Sequence, residues 1–202
     1  MIAVIDYGVG NLFSLKSSLK MIGMDAVVTR DPDVINGADH IILPGVGAFG
    51  DAVRKLRETG MFDLVKEEAA KGKPLLGICV GMQLLFEKDL EFGEHEGLAL
   101  LPGTVDAIEP RLNGNLDVPH MGWNSLSYGN PSELYRGIPE GSYFYFVHSY
   151  AAFGCEDYVT AQADYSIPLT ASVQKGNVFG TQFHPEKSGE TGLVLLKNFC
   201  SM

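Results

Sequence analysis

Apolar residues along this chain follow two rhythms. Short unbroken runs such as Ile2-Ala3-Val4-Ile5 and Ile41-Ile42-Leu43 are too brief for helices and read as buried strands. Between them, apolar positions recur at helical spacing. The pattern predicts strands at 2–5, 25–29, 40–43 and 75–78, and helices over 12–21, 48–59, 61–70 and 80–87. Such alternation predicts an α/β fold in three layers, with a mostly parallel central sheet and helices on both faces. From about residue 103 the rhythm changes. β-like runs at 103–108, 142–148, 157–163, 168–174 and 178–183 are separated by Gly, Pro and Asn turns, and a last helix covers about 190–200. The C-terminal half is therefore expected to be β-rich. No linker, repeat or low-complexity segment interrupts the pattern, so one domain over 1–202 is expected. The loop 88–96, with Glu91, Glu94 and Glu96, reads as acidic and exposed.

The run Lys73-Pro74-Leu75-Leu76-Gly77-Ile78-Cys79-Val80-Gly81-Met82-Gln83 adds chemistry to that pattern. A strand meets a glycine-flanked turn and a helix begins, the arrangement that exposes a nucleophile, here written with Cys79. A helix starting near Val80 aims its first N–H groups and its dipole at the sulfur, offering donors to an oxyanion. By itself the run also fits a buried Cys in a strand–helix turn. A second motif, Phe183-His184-Pro185-Glu186-Lys187, strengthens the catalytic reading. Pro185 favours an extended His184. Period-two geometry then projects His184 and Glu186 to one side, a base and the carboxylate that orients it. Gly45-Val46-Gly47, after the strand 40–43, lets backbone approach a ligand closely; with the Val80 N–H it is a candidate oxyanion hole. These motifs all fall at carboxyl ends of strands, where α/β sheets bind ligands.

Composition narrows the field. The chain is 46% apolar and 20% charged, as in ordinary globular proteins, and has no apolar run long enough to span a bilayer. A net charge of −10 argues against nucleic acid or an anionic membrane as the main partner. Three cysteines at irregular spacing, 79, 155 and 200, form neither a disulfide framework nor a metal motif, so no metal is expected and a cytoplasmic location is the default. Gly8-Val9-Gly10 is followed by Phe13 where a dinucleotide loop needs Gly, and no Walker motif is present. No cofactor is expected.

Taken together, the motifs resemble class I (triad) glutamine amidotransferases across the whole length. The more specific marks are Asp6-Tyr7-Gly8-Val9-Gly10-Asn11, Leu43-Pro44-Gly45-Val46-Gly47-Ala48-Phe49, Pro119-His120-Met121-Gly122-Trp123-Asn124 and Tyr145-Phe146-Val147-His148-Ser149-Tyr150. They are most similar to the branch of glutaminase subunits serving histidine biosynthesis. The resemblance implies glutamine hydrolysis through a thioester on Cys79, with His184 as base and then acid and Glu186 orienting it. It assigns Gly45, Val46, Gly47, Val80, Gly81, Gln83, Ser149 and Tyr150 to the oxyanion and glutamine contacts. Asn11, His120, Trp123, Tyr145 and Lys187 are expected at a partner interface. Ser149 and Gly189 stand where some relatives carry Thr and Ser. A glutaminase of this class uses nearly all 202 residues, leaving no acceptor site for ammonia. The resemblance implies that a (β/α)8-barrel cyclase supplies one, in a heterodimer. Competing readings are the glutaminase of pyridoxal phosphate synthesis, a free-standing γ-glutamyl hydrolase, and an idle binding module of the same fold.

Overall fold

A computed structural model describes all 202 residues. The N-terminal part alternates as the apolar pattern requires. It runs β1 (Ile2–Ile5), α1 (Leu12–Met21), β2 (Ala26–Thr29), α2 (Pro32–Asn36), β3 (His40–Gly45), α3 (Phe49–Glu58), α4 (Met61–Ala70), β4 (Leu75–Cys79) and α5 (Val80–Gln83). Every residue of β1, β3 and β4 is buried, which explains their unbroken apolar character. In α3, Phe49, Ala52, Val53 and Leu56 are buried at helical spacing, forming one apolar stripe.

The C-terminal part contributes β5 (Lys88–Asp89), β6 (His95–Glu96), β7 (Thr104–Ala107), β8 (His120–Tyr128), β9 (Tyr143–His148), β10 (Tyr150–Phe153), β11 (Val159–Asp164), β12 (Pro168–Lys175), β13 (Val178–Thr181) and α6 (Gly189–Phe199). The main sheet has nine strands in the order β2-β1-β3-β4-β13-β12-β11-β8-β9. Pairings from β2 to β13 are parallel, and those from β13 to β9 are antiparallel. The parallel half carries the helices of the N-terminal part, and the antiparallel half is the β-rich C-terminal part. A four-stranded sheet, β10-β7-β5-β6, stands beside it. Strand order reverses between β1 and β3, and the carboxyl ends of β1, β3, β4 and β13 surround that switch point, where such folds bind ligands.

Two expectations need correction. The helix expected over 80–87 stops at Gln83. The carbonyls of Leu84, Leu85, Phe86 and Glu87 accept from the N–H groups of residues 97–101 instead of continuing the helical ladder. Leu84, Leu85 and Phe86 are fully buried, so tertiary packing overrides helical propensity. The loop 88–96 is also not simply an exposed acidic segment: it contains β5 and β6, and Asp89 has no solvent exposure.

Candidate active site

The elbow at Cys79 begins with close packing. β4 delivers Cys79 at φ 56°, ψ −114°, a left-handed backbone that non-glycine residues rarely adopt. The next residue, Val80, opens α5. A Cβ on Gly77 would run into the Gly81 backbone, and one on Gly81 would collide with the Leu43 carbonyl. Both glycines are therefore demanded by the approach of α5 to β3 and β4, which holds the strained cysteine in place. Gly45 pairs directly with Cys79 across β3 and β4.

His184 follows β13 with φ −98° and ψ 97°, extended as expected. The strand itself ends at Thr181, two residues earlier than expected, and Glu186 lies in a 3-10 turn over Pro185–Lys187. The turn, and not strand periodicity, brings the pair together. Glu186 Oε1 lies 2.8 Å from His184 Nδ1, and both side chains are almost fully buried. Burial alone pushes the His184 imidazole down, but the neighbouring Cys79 thiol and Glu186 carboxylate outweigh it and lift the imidazole to about 9. Gln182, fully buried, places Nε2 3.8 Å from Cys79 Sγ. This residue escaped the sequence reading because a lone Gln at a strand end carries no pattern.

Cys79 and His184 open into a cavity of about 360 Å³. Of the expected ligand contacts, Val46, Gly47, Val80, Gln83, Ser149 and Tyr150 line it. Gly45 and Gly81 do not; they shape the backbone behind it. Gly47 has φ 87°, so the Pro44–Gly47 turn relies on a residue without a side chain. The buried Tyr7 hydroxyl donates to the Pro44 carbonyl at 2.8 Å and fixes one end of that turn. Glu91 also lines the cavity, contrary to its reading as a solvated loop charge. Its Oε2 accepts from the Phe49 N–H at 2.7 Å, capping α3, whose own N-cap residue Ala48 makes no side-chain bond. One of several acidic residues in a loop, Glu91 gave no sequence signal for that role.

The residues expected at a partner surface divide. Trp123 and Tyr145 meet edge to face with centroids 6.1 Å apart, and Lys187 Nζ sits 5.9 Å from the Tyr145 ring. Trp123 is 55% exposed and Met121, on the same strand, 65%, giving an apolar patch of the kind that marks interaction sites. Asn11 is half-buried and caps α1, its Oδ1 accepting from the Ser14 N–H at 3.4 Å. His120 is not at the surface. It is 3% exposed, because even-numbered residues at the start of β8 face inward while Met121 and Trp123 face out.

A strained cysteine at a strand–helix elbow, a carboxylate-paired imidazole near it and a cavity of small-molecule size form an arrangement with the chemistry that thiol-dependent acyl transfer requires. Residues 3–202 match the family model described as Glutamine amidotransferase class-I, and the chain belongs to that family. Among curated relatives it is 51% identical, over 100% of its own length and 98% of the relative's, to imidazole glycerol phosphate synthase subunit HisH of Caldanaerobacter subterraneus. It is 49% identical to the subunit of that name from Methanothermobacter thermautotrophicus, over 98% of this chain and 97% of that one. Among solved structures, a glutamine amidotransferase superposes with a TM-score of 0.75 at 20% identity, covering 98% of this chain and 99% of that one. PurLQS from Thermotoga maritima gives 0.73 at 21% identity, over 99% and 97%. At that identity the likeness concerns the fold.

Proposed function

We propose that this chain acts as one domain over 1–202, the glutaminase subunit of an imidazole glycerol phosphate synthase in cytoplasmic histidine biosynthesis. The observation that carries the chemistry is Cys79, held in a left-handed conformation at the cavity floor against the His184–Glu186 pair. Near-complete coverage of relatives that are themselves named as synthase subunits supports the assignment to that enzyme.

In this reading His184, lifted to about 9, already holds the Cys79 proton as imidazolium, and the sulfur attacks the side-chain amide carbon of glutamine. The oxyanion that forms is met by backbone donors of the Val46–Gly47 turn and of Val80. His184 returns the proton to the departing nitrogen, the C–N bond breaks, and ammonia leaves. Water, deprotonated by the same imidazole, then cleaves the thioester to glutamate. The Glu91 carboxylate suits the substrate's α-ammonium group, and Gln83, Gly47, Ser149 and Tyr150 hold the remainder. Glu186 accepts from His184 Nδ1 and stabilises the imidazolium, so that Nε2 faces the sulfur and the departing nitrogen as the proton carrier.

The Trp123–Tyr145–Lys187 patch then receives a (β/α)8-barrel cyclase, to which ammonia passes without entering bulk water. The cyclase combines it with a phosphoribulosyl-formimino aminoimidazole carboxamide ribotide to give imidazole glycerol phosphate and the carboxamide ribotide. The test is glutamate release with and without the cyclase, for the wild type and for Trp123→Ala. Weak turnover alone, strong turnover in the complex, and loss of that stimulation in Trp123→Ala are expected. Full turnover by the lone chain overturns the subunit assignment and favours a free-standing γ-glutamyl hydrolase.

A further inference from the structure

A chain of side-chain hydrogen bonds runs from β8 to the cavity, and it has a single direction. The Tyr150 carbonyl can only accept, so His148 Nδ1, 2.8 Å away, carries a proton. Burial pushes the His148 and His120 imidazoles down, to about 3 and about 4, so both are neutral. Neutral His148 offers Nε2 as an acceptor, and His120 Nδ1, 2.9 Å away, must be the donor. His120 Nε2 is then left with a lone pair, which Asn124 Nδ2 meets at 3.1 Å. The Asn124 amide is oriented independently: Nδ2 also donates to the Asp164 carbonyl at 2.9 Å, and Oδ1 accepts from the Ser125 N–H at 2.8 Å. Every nitrogen of the two imidazoles is therefore committed.

A second arm reaches the same carbonyl from the cavity. Gln83 Nε2 donates to Tyr150 O at 3.2 Å and to Gln182 Oε1 at 3.1 Å, while Gln182 Nε2 reaches Cys79 Sγ at 3.8 Å. With both Gln83 N–H bonds committed, its Oε1 is the atom left for a donor on a ligand. The Tyr150 carbonyl thus joins an imidazole relay to the amide pair beside the nucleophile.

We propose that Asn124 and His120 are positioning residues for the glutamine site. Their fixed donor–acceptor polarity holds His148 on the Tyr150 carbonyl, and through it sets the orientation of Gln83. The proposal rests on the glutaminase reading above. It also accounts for polar residues at inward positions of β8 that touch neither the cavity nor the exposed patch.

Two substitutions separate this from a packing role. The His120 ring packs against Phe146 and Tyr165, with centroids 4.8 and 4.3 Å away. His120→Phe keeps a ring but has no donor. His120→Asn loses the ring but places an amide nitrogen where Nδ1 stood. A packing role ranks Asn as the worse replacement; the relay ranks Phe as worse. For glutamine hydrolysis in the subunit complex, His120→Phe is expected to raise KM about tenfold, the size of one hydrogen bond's net contribution, with a smaller change in kcat. His120→Asn is expected to stay within about threefold of wild type even where it melts at lower temperature. Two-bond proton–nitrogen correlation of the wild-type imidazoles is expected to show the proton on Nδ1 of both His120 and His148. A proton on Nε2 of either ring, a wild-type KM in His120→Phe, or an Asn variant as impaired as Phe overturns the relay. If the wild-type complex releases no glutamate, the glutaminase reading fails, and the ring-proton measurement still decides the relay by itself.

Discussion

His184 Nδ1 and Glu186 Oε1 lie 2.8 Å apart although only Pro185 separates the two residues in sequence. A continuing strand would have sent both side chains to one face some two residues apart. The 3-10 turn folds the carboxylate back under the ring instead, and burial of both groups strengthens the contact. Glu186→Gln keeps the shape but offers an amide that can donate to Nδ1, stabilising the wrong tautomer. We expect kcat for glutamine hydrolysis to fall on the order of tenfold to a thousandfold, and His184→Ala to lose about 10²–10⁴-fold. Loss of the carboxylate charge also lowers the imidazole from its value of about 9, so the alkaline limb of the pH–rate profile should move to lower pH. An unmoved limb would separate Glu186 from the chemistry. His148 cannot replace His184 as base, because both of its ring nitrogens are already bonded.

The three thiols differ in setting. Burial pushes Cys155 up to about 11 and Cys200 up to about 12, which leaves both as inert thiols near neutral pH. Only Cys79 stands at an elbow facing a cavity. A glutamine-like electrophile, such as a diazo-ketone amino acid, is expected to label Cys79 at one equivalent per chain. Mass mapping of the labelled peptide checks this, and labelling that persists in Cys79→Ala would remove the nucleophile assignment.

Tyr7 connects the end of β1 to the turn after β3. Its hydroxyl is the buried donor to Pro44 O, and Tyr7→Phe leaves that carbonyl without its partner. A loss of about 1–3 kcal/mol in unfolding free energy is expected from the orphaned acceptor. Because Pro44 begins the Pro44–Gly47 turn, glutaminase turnover should fall more than stability alone explains, by about tenfold. Urea unfolding and single-turnover rates on the same variant separate the two effects.

The apolar runs in β1, β3 and β4 were legible because burial on both faces leaves an unbroken hydrophobic signature. The elbow at Cys79 was legible because close approach demands glycine at 77 and 81. β8 was not predicted, since His120, Gly122 and Asn124 occupy inward positions where alternation calls for apolar residues. The polar network that satisfies them is invisible until β9 lies alongside. Gln182 and Glu91 were missed for the same reason: their roles arise from contacts with Cys79 and with Phe49, 103 and 42 residues away in sequence. His120, expected at a partner interface from the resemblance of the His-Met-Gly-Trp-Asn run, illustrates the converse, where a motif was legible and the facing of its residues was not.

The buried histidines make an acid-sensitivity prediction with a definite sign. His120 and His148 have ordinary values of 6.5, held down to about 4 and about 3 by burial. Above 6.5 neither state binds the proton, so their contribution to stability is complete. Below it the unfolded chain takes up two protons that the folded chain refuses, and stability falls by up to about 1.4 kcal/mol per pH unit for each ring. His184 adds nothing there, because a group raised to about 9 is protonated in both states below 6.5; its stabilisation is lost as pH rises from 6.5 through about 9. Asp89 acts in opposition. Burial lifts it from 3.8 to about 6, so the folded chain gains one proton over that window and stability rises as pH falls. For these three groups, two protons against one leaves a net loss of about 2 kcal/mol between pH 6.5 and about pH 5, and His40, also pushed down by burial, adds to it in the same sense. Urea midpoints across that range measure it. His120→Phe should flatten the dependence by about one proton and Asp89→Asn should steepen it by about one. A dependence untouched by His120→Phe would show that this imidazole takes up its proton in the folded chain as readily as in the unfolded one.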